Sequence, residues 1–360
     1  MKIAYFIDGI HGMGGMERII IGKANALAED FGHDVTIISA YRSDQPVCYP
    51  LSDKVRLLSL DIRKARHDCN AFMRISEQVR VFLQSLFRLR RQLQDIRPHA
   101  IFFIWVLGAM MLPFVRGKAR KIYESHLSRK KTPHHFFLWL MELCADTVVT
   151  LTEGDSKLFK HCKDVRIISN YTPKPTKTVS DYGVRKAIAV GRLAQVKGFD
   201  RLIRMWKNTE RHHVGWTLDI FGEGPLMEEL QHQIDSCGLT SSVHLRGYSD
   251  NIIDEYANYS VHLMTSHTEG QGLVLLEAQA AGIPSVTFDF EFGASDVITN
   301  GKNGLLVPQD DEEAFQTAIC QVMDSETERK RMGEESLRQS VLYNKESIML
   351  LWEKLLVSTL

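Results

Sequence analysis

Long apolar runs are missing from this chain of 360 residues. No stretch reaches the roughly eighteen consecutive apolar residues that a membrane-spanning helix needs, so none is expected. The nearest approach, Ile101 to Val115, is interrupted by Gly108 and Pro113 and reads as a buried strand running into a helix. The opening "MKIAYFIDGI" is too short and too broken for a secretory leader. Cysteine is sparse: six residues at 48, 69, 144, 162, 237 and 320, with no CxxC pair and no zinc-type spacing with histidine. That argues against a metal finger and for reduced thiols of a cytosolic protein, mostly packed as small apolar groups. There is no net charge, 44 Lys and Arg against 44 Asp and Glu, so no global field suggests nucleic acid. No GxxxxGK[ST] occurs, which argues against a P-loop NTPase. Short-period repeats and low-complexity segments are absent too.

Charge is present, but unevenly. From Ile62 to Lys131 there are sixteen Lys and Arg and only four Asp and Glu. This is either a solvated basic face or a contact for anionic lipid or an anionic acceptor. Within it, residues 71–96 read as a long helix whose apolar stripe is Ile75, Val79, Phe82, Leu86, Leu89, Leu93 and Ile96, ringed by Arg74, Arg80, Arg88, Arg90 and Arg91.

Strand, glycine turn, helix and strand follow one another in "KIAYFIDGIHGMGGMERIIIGKANALAEDFGHDVTIISAY", a βαβ unit of a parallel sheet. The alternation runs to about residue 170. "NYTPKPTKTVSDYG", with two prolines and little apolar content, reads as a linker over 171–183. The alternation then restarts over 184–343. The chain is therefore expected to be α/β, with two similarly patterned domains, 1–170 and 184–343. The last helix, about 344–360, is apolar on most sides and is expected to pack back on the first domain.

Ligands of open α/β sheets bind at the carboxyl ends of strands. Several marked residues fall there: Gly14 and Gly15, His126, Arg192, Gly222 to Gly224, and "TEGQGLVLLEA", Thr268 to Ala278. The "GMGG" loop lacks full GxGxxG spacing and is a weak sign of a nicotinamide site. "GRLAQVKG" puts Arg192 after a strand and Lys197 before a helix; two such cations suit a diphosphate or form an ordinary surface turn. In "TEGQGLVLLEA", Gly272 opens a helix whose first amides favour an anion. Glu277, about a turn further on, is placed to accept from vicinal hydroxyls such as a ribose, and Glu269 reaches from the loop towards a sugar ring. The plainer alternative is a helix-entry acid at Glu269 and a solvated helix position at Glu277.

Taken in order, "GRLAQVKGFDRLI", "DIFGEGPLMEEL", "VHLRGY", "TEGQGLVLLEAQAAGIPSVTFD" and "ITNGKNGLLV" resemble glycosyltransferase family four, whose members are retaining enzymes of the GT-B fold, two facing Rossmann-like domains with a deep cleft between them. "GMGGMERIIIGKANAL" is similar to that family's N-terminal glycine loop and first helix. The resemblance implies an acceptor-binding N-terminal domain and a C-terminal domain that binds a nucleotide-sugar donor. It implies diphosphate binding and leaving-group stabilisation by Arg192 and Lys197, ribose binding by Glu277, and sugar binding by Glu269. Backbone at Gly272, Leu273 and Val274 would bind phosphate oxygens, Gly14 and Gly15 would let the first domain's backbone approach the diphosphate, Gly222, Gly270 and Gln271 are further donor-binding positions, and Tyr248 would flank the base. His126, in "YESHLS", takes the place of a histidine near the donor sugar; "ESH" resembles the "SEH" of relatives acting on lipid-linked or surface polysaccharides, with the order changed. Glu269, His126, Arg192 and Lys197 are thus the expected catalytic set. No DxD motif is found, so no metal and no cofactor is expected, the UDP-sugar being a substrate.

Some positions depart from the family. Gln271 stands where Phe or Leu is frequent, Ala294 where proline is common and Asp296 where glutamate is common. The expected activity is transfer of a hexose or N-acetylhexosamine from a UDP-sugar to a lipid-linked or cell-surface glycan, as in lipopolysaccharide or capsule assembly. The expected location is cytoplasmic, with peripheral contact to an anionic membrane through the basic domain. Alternatives are another sugar-nucleotide enzyme of the same fold, an epimerase or phosphorylase, or an inactive nucleotide-sugar-binding protein. The intact Arg192, Lys197, Glu269 and Glu277 argue against them.

Overall fold

The computed structural model describes residues 1–12, 14–65, 70–179 and 181–358. The chain divides into two compact units, Met1–Ser169 with Met349–Leu360, and Asn170–Ile348. Met13 of the glycine loop, Arg66 of the basic region, Cys69 and Ser180 lie outside the described residues. The five described cysteines are unpaired; Cys162 is buried and Cys48 is exposed.

The first unit holds strands β1 (Lys2–Ile7), β2 (Asp34–Tyr41), β3 (Val55–Ile62), β4 (Ala100–Ile104), β5 (Arg120–Glu124), β6 (Thr147–Thr150) and β7 (Val165–Ile167). All pair in parallel, in the order β3-β2-β1-β4-β5-β6-β7. Helices α1 (Gly15–Glu29), α2 (Ala71–Ile96), α3 (Trp105–Met111), α4 (His135–Cys144) and α5 (Glu153–Ser156) connect them. Strand sequences such as "KIAYFI" and "AIFFI" are continuous apolar runs because a parallel sheet covered on both faces leaves no solvent side.

The second unit repeats the plan with β8 (Lys186–Val190), β9 (Thr217–Phe221), β10 (Val243–Gly247), β11 (Val261–Met264), β12 (Ser285–Asp289) and β13 (Gly304–Pro308). Their order is β10-β9-β8-β11-β12-β13, again parallel. Its helices are α6 (Phe199–Glu210), α7 (Met227–Cys237), α8 (Ile252–Glu255), α9 (Leu273–Ala281), α10 (Ala294–Val297), α11 (Glu312–Asp324) and α12 (Glu326–Ser340). A last helix, α13 (Lys345–Val357), carries the chain from this unit back to the first. Trp352 of α13 packs edge-on against Phe102 of β4, and Arg120 of β5 donates to the Leu355 carbonyl. These are two Rossmann-like α/β units, the GT-B architecture.

Two expectations need correction. The stretch 171–183 is part of the second unit rather than a free linker: Val179 N–H donates to Ala281 O at 2.9 Å, Tyr182 Oη donates to Gly282 O at 2.8 Å, and both side chains are buried. Prolines there shape a strap, because the few apolar residues between them find a place in the core. In α2, Ile75 and Val79 are exposed, whereas Val81, Leu86, Leu89 and Ile96 are buried. The helix has 26 residues, about 39 Å, against strands of at most eight residues, about 27 Å, so its first turns have no sheet to cover. Three of its arginines are also spent within the fold: Arg80 donates to the Arg63 carbonyl, Arg88 to those of Leu60 and Asp61, and Arg90 to that of Phe114.

Candidate functional site

The strand orders reverse direction between β1 and β4 in the first unit and between β8 and β11 in the second. Carboxyl ends of strands at such switch points are where open α/β sheets bind ligands.

In the second unit, β8 ends at Val190 and the chain turns through Gly191, Arg192 and Leu193. This turn lies against Gly222: a Cβ on Gly222, whose φ is +135°, would come within 1.9 Å of Gly191 O. Gly222 therefore acts by letting two backbones touch. Arg192 stands exposed on the turn and makes no ion pair among the described residues. The chain then enters a 3-10 turn, Gln195–Lys197, ending at Gly198 in the left-handed region. Gly198 is laced to the end of β11: Thr265 Oγ1 donates to Gly198 O at 2.9 Å, and His267 N–H donates to Val196 O at 2.8 Å. Buried Arg201 completes the clasp, donating through Nε to Thr265 O at 2.9 Å and through Nη1 to Asp310 Oδ1 at 2.6 Å. Two loops distant in sequence are thus held side by side, and Lys197 Nζ donates to Glu269 Oε1 at 2.5 Å.

Beyond Glu269 the loop reaches Gly272, at φ +84°, which caps α9. The first-turn amides of α9, at Leu273 and Val274, have no partner within the helix and carry the positive end of its dipole. Glu277, one turn on, is buried rather than solvated, and Tyr256 Oη donates to its Oε2 at 3.3 Å. Gln271 is also buried, and its Oε1 accepts from Asn170 N–H at 3.0 Å. That bond ties the loop to the strap at the start of this unit. Tyr248 is exposed just after β10, and Gly270 lies on the same loop as Glu269. Asp296 Oδ2 accepts from Gly293 N–H at the start of α10. The structure therefore brings Lys197, Glu269, the α9 entry and Glu277 together. Sequence reasoning did not find Tyr256, Asn170, Thr265 or Arg201; each acts through a contact made across the fold, with no local signature.

In the first unit, Gly14 is the N-cap of α1 in an extended conformation and Gly15 is its first residue. Cβ atoms on Gly12 and Gly14 would lie 2.6 Å and 2.4 Å from the Glu17 carboxylate oxygens. The small loop residues thus admit the helix's own acid at its N-terminus. At the end of β1, Asp8 has one buried carboxylate oxygen without a partner, and its pKa is raised to about 7 by burial, partly offset by Lys64. It lines a cavity of about 430 Å³ together with His11, Tyr41, Arg42, Lys64 and Trp105. Trp105 holds a φ of +63°, rare for a bulky residue, and leaves its ring partly exposed there. At the end of β5, Glu124 is buried between Lys23 and His126. Lys23 Nζ donates to its Oε2, and His126 Nε2 lies 3.0 Å from its Oε1, with the ring N–H off line. Burial alone would raise the Glu124 pKa; the Lys23 ammonium and its hydrogen bond, with His126 adjacent, hold it down to about 2. Burial lowers the Lys23 pKa, opposed by Glu124. Lys23 had a sequence signal: it falls on the helical face of Ile19 and Leu27, where an apolar residue belongs.

Fold and motifs define a class before any relative is considered: a two-unit α/β protein whose second unit presents a cation–acid pair beside a glycine-capped helix. Residues 172–339 match the family described as Glycosyl transferases group 1. The chain is 29% identical to the amylovoran biosynthesis glycosyltransferase AmsD of Erwinia amylovora, over 99% of both proteins. It is 24% identical, over 92% of its length and 91% of the other, to a Campylobacter jejuni protein named GalNAc-alpha-(1->4)-GalNAc-alpha-(1->3)-diNAcBac-PP-undecaprenol alpha-1,4-N-acetyl-D-galactosaminyltransferase. Among solved structures, the S. aureus TarM G117R mutant in complex with Fondaparinux, alpha-GlcNAc-glycerol and UDP superposes with a TM-score of 0.81 over 99% of each chain, at 16% identity. Together these support a glycosyltransferase of the GT-B fold.

Proposed function

We propose that the chain is a retaining glycosyltransferase that moves a hexose or N-acetylhexosamine from a UDP-sugar to a hydroxyl of a lipid-linked or cell-surface glycan. The observation that carries this reading is the Lys197–Glu269 pair set beside the α9 entry, with Glu277 one turn inside the same helix. Arg192, Lys197 and the α9 amides neutralise the diphosphate. Glu269 holds the donor sugar, Glu277 the ribose hydroxyls, and Tyr248 flanks the base. The acceptor oxygen attacks the anomeric carbon on the face from which the diphosphate leaves. The carbon–oxygen bond to the diphosphate breaks, and the acceptor proton passes to the departing β-phosphate. Positioning and charge stabilisation then do the catalytic work, with no metal. The second unit binds the donor and the first the acceptor, and His126 takes part in the transfer. The relatives named for amylovoran biosynthesis and for an undecaprenol-linked glycan support the acceptor class. The test is UDP release from UDP-glucose, UDP-galactose, UDP-N-acetylglucosamine and UDP-N-acetylgalactosamine, with EDTA present, with and without a polyprenyl-diphosphate-linked sugar. One donor should be turned over at a rate that EDTA leaves unchanged. Failure to bind any of the four would overturn the reading.

We further propose peripheral contact with an anionic membrane through the first unit. Phe72, Ile75, Val79, Leu83 and Phe87 form an exposed apolar stripe along α2, and Phe136, Trp139 and Leu143 another along α4. Exposed Arg74 and Arg91 flank the first. Apolar side chains bordered by cations suit the interface of an acidic bilayer. Sedimentation with phosphatidylglycerol-containing vesicles should fall several-fold in a Phe72→Asp, Phe87→Asp variant; undiminished binding would sink this part.

A further inference from the structure

Lys23 is a lysine inside a hydrophobic core. Its ammonium lies 3.8 Å from the Trp352 ring centre, 5.0 Å from that of Phe102 and 5.2 Å from that of Tyr5. Its ion-pair partner Glu124 is equally buried. Such a pair is poor evidence of a stability function, since well-packed apolar residues of similar volume usually serve stability as well or better. The arrangement has a different consequence. Glu124 presents its two oxygens to two groups, Oε2 to Lys23 and Oε1 to His126. A lone buried carboxylate would take up a proton and lose its grip on a neighbouring imidazole. With Lys23 beside it, it stays an anion, and an anion at that point orients the ring and selects which nitrogen carries hydrogen.

We propose that Lys23 and Glu124 are positioning residues of the transfer site: the buried ammonium fixes Glu124, and Glu124 fixes the imidazole of His126. This rests on the reading of His126 as a catalytic residue of the transfer. Trp352, from α13, closes the aromatic box around the ammonium, so the last helix of the chain helps to set a residue at the end of β5. The logic is that of an acid orienting a catalytic histidine from behind, with a cation added because the acid has no access to water.

Two measurements test it. In full-length protein labelled with ¹⁵N-histidine, the His126 ring should carry its proton on Nε2; an unprotonated Nε2 would overturn the proposal, and this measurement needs no variant. In turnover of the UDP-sugar that serves as donor, His126→Ala should lose at least tenfold in kcat. The charge-neutral Lys23→Met, Glu124→Gln double variant should lose a similar factor. Adding the double change to His126→Ala should cost less than threefold more, because the pair acts through the imidazole. A wild-type rate in the double variant, or a loss that multiplies undiminished in the His126→Ala background, refutes the positioning role while leaving the donor-site reading standing. A wild-type rate in His126→Ala removes the reading of His126 as a catalytic residue, and the proposal with it.

Discussion

At the scale of single residues, Asp8 gives the clearest consequence of burial. Its carboxyl titrates near 7 in the folded protein, against about 4 in an open chain. Between those values the folded form holds a proton that the unfolded chain has released. Rising pH therefore favours unfolding, and the loss is complete above pH 7. Three units correspond to about 4 kcal/mol, and relaxation around Lys64 reduces this. Asp8→Asn should accordingly be about 1–4 kcal/mol more stable than the parent at pH 8 and no more stable at pH 4. Urea unfolding at the two pH values checks it, and a pH-independent difference would refute it. Nothing in "FIDGI" distinguishes this acid from one in a solvated turn. Its environment is built by Tyr41, Lys64 and Trp105, which reach it only through the sheet order. Lys197 and Glu269 were legible because each adjoins a glycine turn in a motif of fixed spacing. Glu277 was legible by position, but its burial under Tyr256 was not, since that contact joins separate elements.

At the scale of elements, most strands and helices could be read directly, because most of the parallel strands are apolar runs and the turns between them are marked by glycine; β7, three residues long and largely uncovered, could not. What the pattern did not show was where an element outruns its support, as α2 does, or where a proline-rich strap finds a groove, as 171–183 does. The β8 turn shows how a glycine positions a functional side chain at one remove. Gly222→Ala introduces a Cβ at 1.9 Å from Gly191 O in a backbone conformation disfavoured for alanine. The collision must move the turn bearing Arg192. The expected cost is about 2–4 kcal/mol. Gly238, also left-handed with a φ of +73°, has open space around its Cβ position. Its replacement by alanine should cost only about 1 kcal/mol of strain. Thermal unfolding separates the two, and UDP affinity should fall only in the first. Equal destabilisation would mean that backbone conformation, not contact, sets the requirement at Gly222.

At the scale of the whole molecule, the chain's last helix belongs with the unit formed by its first residues. That could be anticipated from an apolar tail with no strand left to cover, but not the particular contacts. Trp352, Leu355 and Leu356 are buried, Glu353 Oε2 lies 2.7 Å from His33 Nε2, and the Leu355 carbonyl takes a hydrogen bond from Arg120. Removing residues 349–360 therefore strips a face of the first sheet and leaves Lys23 without the ring nearest its charge. The loss of Trp352 alone should cost about 3–5 kcal/mol, comparable with much of a domain's net stability. For the truncated chain, limited proteolysis should place the early cuts within residues 1–169 while 170–348 persists as a resistant fragment. The single change Trp352→Ala should show the same order of cutting at a higher temperature. If the truncated chain instead resists cleavage within 1–169 as the full chain does, α13 is an accessory layer. The aromatic box around Lys23 would then owe its stability to Tyr5 and Phe102 alone.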